Sequence, residues 1–457
     1  MRVARVGAVA AAAGLLAAAV VVGTPAAAVD DDDGLWYYTA TGMADLHERT
    51  TGKGVQVAVV DTAIWPEAGD LAGASVRVHE PSFCAEEILG DPLPAAQRTA
   101  GAAHGTNMTS LIVGTGKGEN GQPGILGVAP DADVWFYSTL VGPDGEQECY
   151  SPTVEAGRFT FGNAIDQAVA DGADIVSISL SSNVLMDYWA VARAQHEGVI
   201  VVVSMPESTD MPYPSAFNGV VAVESIGPDV KVRPGSRPGA DVVAPGESIR
   251  HLDDDLSSFR TRNGSSAATA FTAGALALVW SAYPEATGNQ VIQTLIRNTN
   301  GEDHELQHDP LSGYGIVNVR HMLEHDPTTY PDENPLLDHD PDSVPTYEQV
   351  QDLSLLDDPT LRDSPPRGTP SATPTTPTPT PTATAAPAAA TPVGDDAGSS
   401  TPALLAAGGG LLAAGVAAAA VLVLRRRRAT APPPDVGPRG AAGATHEYGS
   451  DLTEGGT

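Results

Sequence analysis

The sequence predicts an α/β fold of three layers, a parallel sheet with helices on both faces, followed by a single C-terminal transmembrane helix. Apolar runs of strand length (Val55 to Val60, Val134 to Tyr137, Ile175 to Leu180, Val199 to Val203, Val220 to Val223) alternate with helical stretches (Asn163 to Ala170, Asp187 to Glu197, Thr287 to Asn298). Within the runs the apolar residues are continuous, as in strands buried on both faces, instead of falling at every other position. Far downstream, Pro402 to Leu424 is uncharged and of spanning length, with Arg425 to Arg428 directly after it.

At the N-terminus, Arg2 and Arg5, the uncharged run Val6 to Val22 and Ala26-Ala27-Ala28 have the form of a signal peptide, residues 1–28, so the mature chain is expected to be exported. An uncleaved anchor is the alternative reading. Asp30 to Asp33 reads as a solvated spacer, and Leu35 to Tyr38 is expected to pack the new N-terminus onto a domain of residues 29–325. About 300 residues can bury such a core without metals or staples. A formal net charge of −33 excludes a nucleic-acid-binding surface and would repel an anionic leaflet.

Chemistry concentrates at three places. Asn263 to Gly274 runs into Ala-Leu-Ala-Leu-Val-Trp-Ser-Ala-Tyr, apolar or small on every side up to Pro284, the pattern of a helix buried all round. A buried helix that opens with two hydroxyls either caps itself or turns its first turn to a cavity. In the second case Ser266 sits where unpaired N–H groups and the helix dipole favour negative charge. Asp61 ends the first apolar run, and His104-Gly105-Thr106 opens a helix-like segment, Asn107 to Gly114. Acid, imidazole and hydroxyl thus occur in the order Asp, His, Ser.

On these residues the chain resembles the subtilisin-like serine proteases. Val57-Ala58-Val59-Val60-Asp61-Thr62 is similar to the family's Asp block, His104-Gly105-Thr106 to its His block and Gly264-Ser265-Ser266-Ala267-Ala268 to its Ser block; further matches include Gly127-Val128-Ala129-Pro130, Ile175 to Leu180, Asp241 to Gly246 and Gly313 to Asn318. The resemblance implies an endopeptidase acting on polypeptides, with Asp61, His104 and Ser266 catalytic and Ser179-Leu180-Ser181 as the strand that docks substrate; no cofactor and no metal ligand is expected among these residues. Signal peptide, protease domain, Pro-rich stalk, span and short tail together resemble the mycosins, membrane-anchored subtilases of type VII secretion systems, and Ala270, where most subtilisins have Pro, agrees with them.

The departures from the family pattern are Ser181 for Gly, Ala63 for Gly in the Asp block and, above all, Glu207 where the oxyanion-hole Asn belongs. An ionised Glu offers only acceptors, whereas a buried, protonated one could donate, and its activity optimum would then be expected to shift toward acid. Two function classes stay open: an endopeptidase cutting exported proteins, favoured by the complete triad, and a weakened pseudoprotease serving as a binding or assembly module of the secretion machinery, favoured by Glu207.

Cys84 and Cys149 are the only cysteines, both in loop-like text. In an exported chain they are expected to pair, two free thiols being the alternative. His304-Glu305-Leu306-Gln307-His308 matches the HExxH zinc pattern, but that chemistry needs a helix, and Asp309-Pro310 interrupts the segment. From Asp326 the text turns acidic and Pro-punctuated, read as a linker of residues 326–363. Pro/Thr/Ala repeats in residues 364–401 form a polyproline-like stalk, residues 402–424 a membrane span and residues 425–457 a tail. The four arginines put that tail in the cytoplasm and the catalytic domain outside the cell.

Overall fold

The computed structural model describes residues 33–140, 149–152, 160–301 and 304–357. The expected signal peptide, stalk, span and tail lie outside the described residues.

The chain enters through two short helices, α1 (Trp36–Ala40) and α2 (Met43–His47). Trp36 and Tyr37 are buried, and the Tyr37 hydroxyl donates to the Leu126 carbonyl at 2.6 Å, so this segment packs onto the domain as its apolar residues suggest. Next come β1 (Gln56–Asp61), β2 (Val76–Val78), α3 (Ala103–Val113) and an antiparallel ribbon of β3 (Thr115–Lys117) and β4 (Pro123–Leu126). The α/β alternation then runs β5 (Asp133–Ser138), α4 (Thr160–Asp171), β6 (Ile175–Ile178), α5 (Tyr188–His196), β7 (Ile200–Ser204), β8 (Val221–Ile226) and β9 (Val242–Pro245).

The seven main strands lie in the order β2-β5-β1-β6-β7-β8-β9, and every pairing between them is parallel. Two of them were not read as strands. β2 has only three residues at the sheet edge, and β9 is a four-residue run ending in Pro245.

The continuous apolar runs follow from strand geometry, because successive side chains leave opposite faces of the sheet. In β1, Val57 and Val59 join the core beneath α3, while Ala58 and Val60 join the one beneath α4 and α5. β7 divides in the same way, Ile200 and Val202 to one face, Val201 and Val203 to the other.

After an antiparallel hairpin of β10 (Ile249–Leu252) and β11 (Phe259–Arg262), α6 (Ser265–Ala282) crosses the first face against β6 to β9 and is flanked by α7 (Gly288–Arg297) and α8 (Val319–Glu324). Small residues let it approach: a Cβ on Gly274 would stand 2.7 Å from the Val128 Cβ. Among the described residues α6 is the one helix long and apolar enough to cross a membrane, and it is mostly buried inside the domain.

The linker reading of residues 326–363 needs correction over its described part. Residues 327–356 fold back on the domain and include α9 (Tyr347–Gln351), which opens with a capping box of Thr346 and Gln349. Leu337, Val350 and Leu356 bury against Trp189 and Ala192 of α5. Asn218 stitches the segment down: its side-chain amide donates to the Asp338 and Pro345 carbonyls, each at 3.1 Å, and its Oδ1 accepts from the Asp338 N–H at 2.9 Å. A few well-placed apolar residues and one buried amide hold the segment although its average composition is polar, so the folded domain runs past 325 to about residue 356.

Candidate active site

β1 lies at the sheet's topological switch point, since β5 pairs on one side of it and β6, the next main strand in sequence, on the other. Open α/β sheets form a crevice outside the carboxyl ends of their strands at such a point. Asp61 is the last residue of β1 and is wholly buried. Its Oδ1 accepts from the Thr62 N–H at 2.7 Å, and its carbonyl accepts from the Thr139 N–H at 2.9 Å.

α3 carries His104 in its first turn and must lie close to the β1 end loop for the imidazole to reach Asp61. Gly105 permits this, because a Cβ there would meet the Ala63 carbonyl at 2.5 Å and the Phe136 ring at 2.7 Å. The Gly105 N–H donates to Thr62 Oγ1 at 3.1 Å, and the Asn107 side chain exchanges two hydrogen bonds with the Leu252 backbone, which docks α3 on the β10–β11 hairpin. Ala63 is buried and is not among the described residues with left-handed backbone, so the loss of glycine there causes no strain.

His104 Nδ1–H donates to Asp61 Oδ1 at 2.6 Å, with the His104 side chain 38% exposed and that of Asp61 fully buried. Burial by itself lowers the imidazole pKa, but the charge of Asp61 and the hydrogen bond to it outweigh burial and the nearby Arg262, leaving the pKa above its ordinary value.

α6 supplies the third group. Gly264 is its N-cap and makes no side-chain cap; its carbonyl accepts the Ala267 N–H at 3.2 Å, so Ser266 stands just before the first backbone bond of the helix, where an N–H has no intrahelical acceptor. The Ser266 hydroxyl donates to the Ser179 carbonyl at 3.1 Å, and the Ser179 hydroxyl donates back to the Ser266 carbonyl at 3.1 Å. Buried Ser265 donates to the Met205 carbonyl at 2.7 Å, tying the loop after β7 to this helix end.

A cleft of about 480 Å³ opens over these groups, lined among others by His104, Ser266, Leu180, Glu207, His251 and Arg262. Of the proposed docking strand, Leu180 lines the cleft, Ser179 holds Ser266, and Ser181 is half-buried just before the backbone pairing of Ser182 with Tyr213.

Glu207 lies on the cleft wall, but not as a buried acid. Its side chain is 76% exposed, and Oε1 accepts from Arg233 Nη1 at 2.9 Å. The burial that an acid-shifted optimum required is absent, because the loop after β7 turns outward toward Arg233.

His251 and Arg262 escaped the sequence reading because no motif marks them; they come from the β10–β11 hairpin. Burial, with repulsion from His104 and Arg262, pushes the His251 pKa down to about 4, and its Nδ1–H donates to the Ile249 carbonyl. It therefore stays neutral over the range in which His104 titrates.

Cys84 and Cys149 form a disulfide, and Ala85 and Tyr150 beside them exchange backbone hydrogen bonds at 2.8 and 3.1 Å. The Phe83 N–H donates to the carbonyl of Ser138, the register partner of Asp61, so the bridge sits at the carboxyl edge of the sheet. Residues 304–308 are non-helical, His304 Nε2 lies 2.8 Å from Thr299 Oγ1 and His308 packs on Tyr314, so the two imidazoles do not share a helix face as HExxH requires.

The sequence matches the Subtilase family (Peptidase S8) over residues 52–315. Subtilisin BL of Lederbergia lenta is 30% identical over 278 residues, covering 59% of this chain and 90% of its own. Subtilisin DY of Bacillus licheniformis is 28% identical over 280 residues, covering 59% and 90%. In fold the chain is similar to fervidolysin of Fervidobacterium pennivorans, described as a keratinolytic enzyme related to subtilisin, with a TM-score of 0.50 and 23% identity over 64% of this chain and 46% of that one.

Proposed function

The chain belongs to the subtilase family of serine proteases, and we propose that it is an endopeptidase that hydrolyses peptide bonds through Asp61, His104 and Ser266. The observation that carries this reading is the 2.6 Å bond between His104 and buried Asp61 at the switch point, in a cleft that Ser266 also lines. Ser266 attacks the peptide carbonyl once its hydroxyl turns from Ser179 toward His104, which takes the proton and returns it to the leaving amine. Asp61 fixes the Nδ1–H tautomer and stabilises the imidazolium. The Ser266 N–H, at the positive end of the α6 dipole, is the backbone donor to the charge that grows on the carbonyl oxygen. A fluorophosphonate probe should label Ser266 alone, and Ser266→Ala or His104→Ala should abolish labelling in a chain that still folds. Labelling that persists in Ser266→Ala would refute the assignment.

Glu207 favours a second reading, a subtilase fold retained as a binding or assembly module, because a carboxylate engaged with a guanidinium offers no donor to an oxyanion. Wild type and Glu207→Asn that both fold and both take up no probe would establish it.

The setting belongs to the same proposal: a domain outside the cell, held by residues 402–424, with residues 425–457 in the cytoplasm, working beside a type VII secretion complex on exported polypeptides. The spanning length, the four arginines and the mycosin-like layout support it. Protease added to intact cells should reach residues 35–392 and spare the tail; a protected domain would invert the orientation.

A further inference from the structure

Glu207 is one end of a chain of charges that reaches into the sheet. Arg233 Nη1 donates to its Oε1 at 2.9 Å, and Arg233 Nε lies 3.8 Å from Oε1 of Glu224, a residue of β8 that is 1% exposed. The same Glu224 oxygen accepts from the Ser225 N–H at 2.6 Å, and the Ser225 hydroxyl lies 3.0 Å from it and 2.7 Å from Glu247 Oε1. Arg233 is itself held by its backbone, whose N–H donates to the Ser225 carbonyl at 3.0 Å, and its side chain is only 19% exposed. A rigid, always-charged fork thus has one edge on a buried carboxylate and the other on a carboxylate of the cleft wall.

We propose that Arg233 is a positioning residue for the reaction at Ser266: it leashes Glu207 to the buried end of β8 and keeps an unpaired carboxylate away from the place where the carbonyl oxygen becomes an oxyanion. This rests on the protease reading above. A lone carboxylate on the cleft wall opposes the developing charge, whereas one in contact with a guanidinium presents little more than a dipole at the same distance. The substitution of Glu for the family's Asn is then tolerated because this chain also carries Arg233. A purely structural role, keeping Glu224 satisfied, would not pass through Glu207.

The test compares wild type, Arg233→Gln, Glu207→Gln and the double variant by kcat and KM on one peptide, by the rate of fluorophosphonate labelling and by melting temperature. Arg233→Gln is expected to lose about tenfold in kcat with KM little changed, a fraction of the 10²–10³ that a whole oxyanion donor is worth. Adding Glu207→Gln should recover most of that loss, and Arg233→Lys should retain most of the activity. A double variant as slow as Arg233→Gln, or a folded Arg233→Gln with unchanged kcat, overturns the inference. If Arg233→Gln does not fold, Arg233→Gln/Glu224→Gln keeps the interior neutral and should show the same loss with the same rescue by Glu207→Gln. Failure of wild type and Glu207→Asn alike to take up probe would remove the protease reading and this inference with it, whereas a labelled wild type indifferent to Arg233 removes only the inference.

Discussion

Asp61 and His104, 43 positions apart in sequence, share a 2.6 Å hydrogen bond in which a fully buried carboxylate faces a part-exposed imidazole. A general base must be neutral to accept a proton, and Asp61 raises the His104 pKa despite its burial. The acid limb of kcat/KM should therefore lie above about 6.5, the ordinary histidine value. Asp61→Asn should move that limb down and cut kcat by roughly 10⁴, the size of this loss in other Asp-His-Ser enzymes. A wild-type limb below the ordinary value would contradict the pairing.

Glu207→Asn restores a side-chain donor to the cleft wall and removes a carboxylate. It should raise kcat by about 10- to 100-fold, part of what one oxyanion donor contributes. Stability should change little, because Arg233 remains to pair with Glu224. The measurement is kcat and melting temperature on the same preparations. An unchanged kcat would mean that Glu207 lies too far from the reacting carbonyl to matter.

The Cys84–Cys149 bond closes a 65-residue separation. On the chain-entropy account it contributes about 4 kcal/mol, less any strain. Cys84→Ser/Cys149→Ser should lose stability of that order in urea unfolding. Non-reducing peptide mapping should recover the two cysteine peptides joined, and recovery of free thiols would refute the bond.

Removing the chain after residue 325 uncovers the α5 face formed by Trp189 and Ala192 and leaves Asn218 without its partners in the removed segment. Leu337→Ala isolates the packing and should cost about 2–3 kcal/mol, the low end for a buried leucine. Denaturant unfolding of both variants tests this. A truncated domain as stable as the longer one would make the segment a passenger.

Asp187 is 4% exposed, and burial pushes its pKa from 3.8 to about 7 even though Oδ1 accepts the Gly162 N–H; Asp166 adds to the rise. The folded state then binds a proton that the unfolded state releases between these values. Stability from this group is full below about pH 4 and is lost as pH rises toward 7, by up to a few kcal/mol. Asp187→Asn should flatten that decline and stabilise the domain at pH 8 relative to wild type. An identical pH dependence in both proteins would show that the carboxyl is ionised in the fold.

Much of this was legible in the residues themselves. Strands buried on both faces need continuous apolar runs, so β1, β5, β6, β7 and β8 could be read directly, and the run that became α6 was apolar on every side. Asp61, His104 and Ser266 stood out because each ends or opens such an element, and the two cysteines because a chain with only two has one possible internal pairing. These are local signals, carried by periodicity and position within a segment.

What only the tertiary structure decided depends on groups far apart in sequence. The text set Glu207 only by alignment, where the family's oxyanion-hole Asn is expected, and not in its environment; its exposure and its bond to Arg233, 26 residues on, come from the way the loop after β7 turns toward the end of β8. Residues 327–356 read as a solvated linker because composition averages over a segment, while its docking uses particular residues: three apolar side chains packed on α5, and polar contacts such as those of Asn218, 120 residues upstream of Asp338. His251 and Arg262 reach the cleft from the β10–β11 hairpin, which α3 holds through Asn107. Burial and charge pairing are properties of place in the fold, and periodicity along the chain does not encode them.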